Sequence, residues 1–187
     1  MSGMHAQIAL NLDNLRSSDH TLQDAAFQFF IHATKEPVDW AYEVWDELLA
    51  TLKEGDNRQR AIASQVLCNL ARSDPENRML QDLKALLLVT RDERFVTARH
   101  CMQSLWKIGI AGESQRNALV EMLIHRFCEC ATEKNCTLIR YDILECLRRI
   151  HDQIPDEALR ATATMLINTE PDAKYRKKYA TLWRGEA

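Results

Sequence analysis

The chain has 187 residues, 46% apolar and 27% charged, with a net charge of −3 and a pI of about 6.1. That composition can bury a sizeable core and excludes disorder as the general state of the chain. The slightly negative charge excludes a global positive field of the kind that draws proteins to nucleic acid or anionic lipid.

The first 16 residues predict a helix over 4–16, closed by the polar run "RSSDH". Ser18, Asp19 and His20 are consecutive there, which is poor geometry for a catalytic triad because neighbouring side chains point apart. They read instead as a turn in which Asp19 or Ser18 caps a second helix over 20–34. Pro37 opens a helix over 37–53; Gly55 and Asp56 stop it and start another over 57–72. Asp74 and Pro75 open 75–90, followed by 93–109. Gly112 to Ser114, with Ser114 as N-cap, open 114–131, followed by 136–151. Pro155 opens 155–168, and 173–184 is the last helix. Proline suits a first helical turn because its missing N–H would be unpaired there.

The second helix of each pair carries the same apolar stripe. Ile139, Ile143, Leu147 and Ile150 lie on one side at 100° per residue. Thr97, Cys101, Leu105 and Ile108 repeat the spacing, as do Gln59, Ala63, Leu67 and Leu70, with Gln59 a polar departure. Leu22, Ala26, Phe30 and Ala33 match earlier, and Tyr175, Tyr179 and Trp183 match later. Successive copies are offset by 37, 38, 42 and 36 residues. Two helices per period of this length are the signature of an all-α repeat, an α-solenoid.

Few motifs of chemistry interrupt this pattern. With five glycines the chain offers neither a P-loop nor a dinucleotide fingerprint, and "EMLIH" holds one histidine rather than a zincin pair. Cys128, Cys130, Cys136 and Cys146 have poor spacing for tetrahedral zinc, so they read as structural thiols, and no cofactor or metal is expected. The longest apolar run, "ALLLV" at 85–89, is too short for a bilayer, and the N-terminal residues lack a secretory pattern. With six cysteines and no such pattern, a reducing cytoplasmic location is expected. Trp40, Trp45 and Trp183 fall among packing positions.

The segments "IRYDILECLRRI" and "QRAIASQVLCNL" resemble the "VRxxAxxxLxxL" pattern of HEAT-type second helices, with Arg140 and Arg60 at the arginine position. Arg176 in "YRKKYATLW" is similar, while Ala98 and Gln23 depart from the pattern. The resemblance implies one HEAT-like domain over 1–187 with units near 4–34, 37–72, 75–109, 114–151 and 155–184. It also implies that second helices line a concave face. Positions opposite the apolar stripe are Asp24, Gln28 and Ile31, then Ala61, Gln65 and Cys68, then Arg99, Gln103 and Trp106. Tyr141, Glu145 and Arg148 follow, then Lys177, Thr181 and Arg184.

The C-terminal part of that set is basic and aromatic, so Arg99, Gln103, Trp106, Tyr141, Glu145, Arg148, Lys177 and Arg184 are the expected partner-binding residues. The expectation is a non-enzymatic protein-interaction module or scaffold that holds a protein or peptide, preferably acidic, with no membrane partner. The alternative is a nucleic-acid-binding repeat protein resembling the HEAT-like alkylpurine DNA glycosylases, with Trp106, Tyr141, Glu145, Arg148 and Arg99 as its constellation. The acidic net charge disfavours nucleic acid.

Overall fold

The computed structural model describes residues 3–184, and every regular element among them is helical. In chain order these are α1 (Gly3–Leu15), α2 (His20–Ala33), α3 (Ala41–Glu54), α4 (Asn57–Leu70), α5 (Arg78–Val89) and α6 (Phe95–Met102). They are followed by α7 (Trp106–Gly109), α8 (Glu113–Glu129), α9 (Cys136–Gln153), α10 (Glu157–Asn168) and α11 (Ala173–Leu182). Short 3₁₀ turns at Ala71–Ser73 and Cys130–Thr132 extend α4 and α8. No described helix is long and apolar enough to cross a membrane.

Carboxylates start several of these helices by accepting the N–H groups that a first turn leaves unpaired. Asp19 accepts from Thr21 N, and Asp172 from Lys174 N, both at 2.8 Å. Asp156 accepts from Ala158 N and Leu159 N. Asp56 and Gln59 form a capping box, each side chain bonded to the other's backbone N–H. Gln59 therefore leaves the apolar stripe for a reason: its amide nitrogen also donates to Arg16 O at 3.1 Å.

The start of α5 is unusual. Its N-cap residue Asn77 has a left-handed backbone (φ 56°) and makes no side-chain capping bond. Buried Asp74 does that work, accepting from Arg78 N at 2.9 Å and Met79 N at 2.8 Å. Tyr42 Oη donates to the same carboxylate at 2.5 Å and ties α3 to this turn.

Three expectations about helix ends need correction. Pro37, Pro75 and Pro155 precede the cap residues Trp40, Asn77 and Asp156 and lie outside the first helical turn. Proline acts there by keeping the preceding residue extended. Gly112, not Ser114, is the N-cap of α8, and Ser114 is already helical. The helix expected over 93–109 is broken into α6 and α7. At the break the Ser104 N–H turns to Cys101 O, a 3₁₀-type step that ends the α-helical ladder, and Ser104 Oγ donates to His100 O at 3.0 Å.

The break coincides with a division of the chain into two compact units, Met1–Ser104 and Leu105–Ala187. In the first, α1 packs on α2, α3 on α4 and α5 on α6. The first helices α1, α3 and α5 pack in succession, as do the second helices α2, α4 and α6. Trp45 is fully buried in α3, and its indole N–H donates to Asp82 of α5 at 2.9 Å.

In the second unit α9 is central, packing on α7, α8, α10 and α11. Gly109 is required for the α7–α9 approach: a Cβ there would lie 2.4 Å from Ile150 Cδ1.

The apolar stripe is the core in both units. Ile139, Ile143, Leu147 and Ile150 are buried, as are Thr97, Cys101, Leu105 and Ile108, and Ala63, Leu67 and Leu70. On α2 the stripe is shifted by one position at its start: Leu22 is 43% exposed and Gln23 is buried in its place. Gln23 is tolerated there because its amide donates to Leu15 O at 3.2 Å. Cys68, expected opposite the stripe, is also buried, because α4 is packed from several sides. Trp40 is buried, whereas Trp183 is only half-buried.

One polar device appears in both units. Arg60 of α4 donates through Nε to Asp92 at 2.6 Å, and Arg140 of α9 through Nη1 to Glu170 at 2.8 Å. Each acid stands three residues before the next second helix and accepts the N–H two residues ahead, from Arg94 or Asp172. Both acids are almost fully buried. Burial alone would raise the Asp92 pKa, but Arg60, the Arg94 N–H and the charges of both arginines outweigh it and hold the carboxyl below its usual range. Arg176 differs, donating to the Glu170 backbone carbonyl at 2.6 Å.

Candidate functional site

The second helices of the first unit leave a groove of about 490 Å³ along their shared side. Its size is that of a site for a small ligand or a few side chains of a peptide. Ala61 and Ile62 of α4 are its buried apolar positions, with half-buried Phe27 from α2 and Val96 from α6, which is 67% exposed. Leaving a β-branched apolar side chain that exposed beside other apolar groups is a surface feature suited to contact.

The polar groups of the groove are ordered by neighbouring helices. Arg58 pairs with Asp24 across α4 and α2. Its Nε is buried and has no hydrogen-bond acceptor among the described residues. Gln65 is turned back onto Ala61 O at 3.0 Å, and Thr97 Oγ1 onto Asn57 O at 2.8 Å. His20 and His100 are exposed lining residues from α2 and α6. The arrangement offers an apolar surface, two imidazoles, and Arg58 set between the exposed carboxylates of Asp24 and Asp56. It suits an apolar side chain flanked by polar groups. No group of three or more His, Cys, Asp or Glu side chains is placed to hold a metal ion among the described residues.

The residues expected to bind a partner divide between the units. Arg99 and Gln103 belong to the first and are half-buried. Trp106, Tyr141, Glu145, Arg148, Lys177 and Arg184 belong to the second. There most of them are engaged with their own unit. Arg148 donates through Nε to Asp152 at 2.5 Å and through Nη1 to Leu182 O at 2.8 Å and Arg184 O at 3.5 Å, closing the end of α11. Glu145 lies 3.7 Å from Arg149, whose guanidinium stands 5.8 Å from the Trp106 ring centre. The Lys178 ammonium covers Tyr141 at 4.7 Å. Lys177 and Arg184 are exposed. Trp106 is half-buried, and its indole nitrogen is buried without an acceptor among the described residues, as is that of Trp183, which packs on His151.

Reading columns on single helices identified Asp24, Ala61 and Gln65 but passed over His20, Phe27, Arg58, Val96 and His100 in the same groove. The signal that could have found them is the repeat itself: superposing the three pairs brings α2, α4 and α6 side by side. The cysteines are dispersed. Cys68, Cys101, Cys130 and Cys146 are buried, Cys136 is half-buried and Cys128 is exposed. Burial pushes the Cys101 thiol up to about 12. The chain matches no protein-family model, and no curated protein matches it either.

Proposed function

We propose that the chain is an α-solenoid of about five HEAT-like helix pairs and works as a non-enzymatic protein-interaction module, holding a partner segment on the face lined by its second helices. The observation that carries this reading is the groove on α2, α4 and α6, where exposed Val96 shares the lining with Phe27, Ala61 and Ile62. The repeated Arg60–Asp92 and Arg140–Glu170 pairs support the repeat, since equivalent positions of different pairs make equivalent bonds.

A peptide that seats an apolar side chain among Val96, Phe27, Ala61 and Ile62 fits the groove, and the sequence expectation toward the C-terminal half is an acidic partner. Exposed Lys177 and Arg184 favour the same sign of partner. A cytoplasmic location belongs to this reading, because six free cysteines suit a reducing compartment.

The test is affinity capture from native lysate with the intact chain, Val96→Glu, and Met165→Glu as a control on the first helix α10, where Met165 is also exposed. The expected result is a protein captured by the intact chain and by Met165→Glu but lost from Val96→Glu. Unchanged capture by Val96→Glu would remove the groove from the interaction.

A further inference from the structure

The turn between α8 and α9 brings two thiols together. Cys130 ends α8, Cys136 begins α9, and their sulfurs are 3.4 Å apart. A disulfide has an S–S length of about 2.0 Å, so closure needs the sulfurs to move by little more than an ångström. The turn between them is held. Arg126, 1% exposed, forms a two-bonded pair with Glu133 at 2.6 and 2.9 Å. Arg140, one turn into α9, donates through Nε to Phe127 O at 3.3 Å, and the Cys130 thiol donates to that same carbonyl at 3.2 Å.

We propose that Cys130 and Cys136 form a two-electron redox site, converted by a small peroxide into a disulfide that staples the α8–α9 turn. The half-buried Cys136 reacts first. Its sulfur attacks one peroxide oxygen, the O–O bond breaks, and Cys136 becomes a sulfenic acid as the other oxygen leaves as water. The Cys130 sulfur then attacks the Cys136 sulfur. The S–O bond breaks, and the departing hydroxide takes the Cys130 proton and leaves as a second water. Two thiols and one hydrogen peroxide thus give one disulfide and two waters.

Geometry assigns the order. Cys130 is fully buried, and its thiol is pushed up to about 12, first by burial, then by its hydrogen bond and charge interaction with Cys136. Arg140 and Arg126 act the other way and favour a Cys130 thiolate. Cys128 is exposed but lies two helical positions away, so its sulfur projects to another side of α8. A reducing compartment accommodates such a pair, because intracellular disulfides are commonly transient and redox-sensing.

Hydrogen peroxide treatment of the full chain, followed by thiol blocking and trypsin, tests the proposal. Cleavage after Arg126, Lys134 and Arg140 separates the two cysteines into peptides 127–134 and 135–140. The expected result is a Cys130–Cys136 cross-link between those peptides as the major oxidised form, with the loss of two blockable thiols per chain. It is reversed by dithiothreitol, kept in Cys128→Ser and absent from Cys136→Ser. A linkage through Cys128, or over-oxidation of Cys136 to sulfinic acid without a cross-link in the folded wild-type chain, overturns it.

Discussion

In the unit ending at Ser104, the second helices leave a groove lined by exposed Val96 together with Phe27, Ala61 and Ile62. In the unit beginning at Leu105, most of the side chains expected to form such a surface are engaged by neighbours within the unit. Arg148 closes α11, Lys178 covers Tyr141, and Arg149 lies between Glu145 and Trp106. Yet both units use the same buried stripe and the same arginine-to-acid tie, Arg60 to Asp92 and Arg140 to Glu170. The difference teaches that helix packing and surface chemistry vary independently. Core and tie set how a pair docks on the next, and the outward columns are then free to be open or self-satisfied.

The largest effects should be alike in the two units. Leu67→Ala and Leu147→Ala each empty a fully buried stripe position, and each is expected to cost about 2–5 kcal/mol in urea unfolding. A cost well below that range in one unit only would show that its stripe is not the core. The polar ties come next. Asp92→Asn or Glu170→Gln leaves a half-buried guanidinium without its counter-charge, at an expected cost of about 1–3 kcal/mol.

The Asp92 tie has a definite pH dependence. Its folded-state pKa is depressed, so its contribution is fully present above the unfolded value of about 3.9 and is lost as pH falls through the lower folded value. Stability measured from neutral pH into the acid range should therefore fall less steeply in Asp92→Asn than in the wild type. An unchanged acid limb would mean that the tie contributes nothing to it.

The surface columns sharpen the contrast. Arg148→Glu breaks the closure of α11 and is expected to cost about 1–3 kcal/mol, whereas exposed Lys177→Glu should stay within about 0.5 kcal/mol. Thermal melts compare them directly, and equal melting temperatures would free Arg148 for the partner-binding role expected of it. Smallest of all should be Val96→Glu, within about 0.5 kcal/mol, because its side chain already faces solvent.

The helices were legible because their signals are local. Asp19, Asp56 and the four-and-three apolar spacing all act within a turn or two. The shift on α2 was not legible: a buried glutamine is tolerated only because Leu15 O happens to accept from it, while apolar Leu22 is left outside. The break at Ser104 was not legible either, because the switch of its N–H to Cys101 O has no signal in residue type. The candidate site was less legible still. Arg148 looked available on its own helix because its partner Leu182 lies 34 residues along the chain. His20 and His100 share a groove that no pattern within one helix can reveal.

The ties between pairs have one further consequence, for the order in which the chain acquires structure during synthesis. Gln59 reaches Arg16 across 43 residues, Thr97 reaches Asn57 across 40, and Tyr179 reaches Thr137 across 42. Each of these partners is on the ribosome roughly a few seconds before the residue that meets it, at about 5–20 residues per second. Contacts this near in sequence also favour rapid closure. A nascent chain halted after α6 already contains both partners of the Gln59–Arg16 and Thr97–Asn57 ties, and it can bury the stripes of α2 and α4 before α9 has been translated.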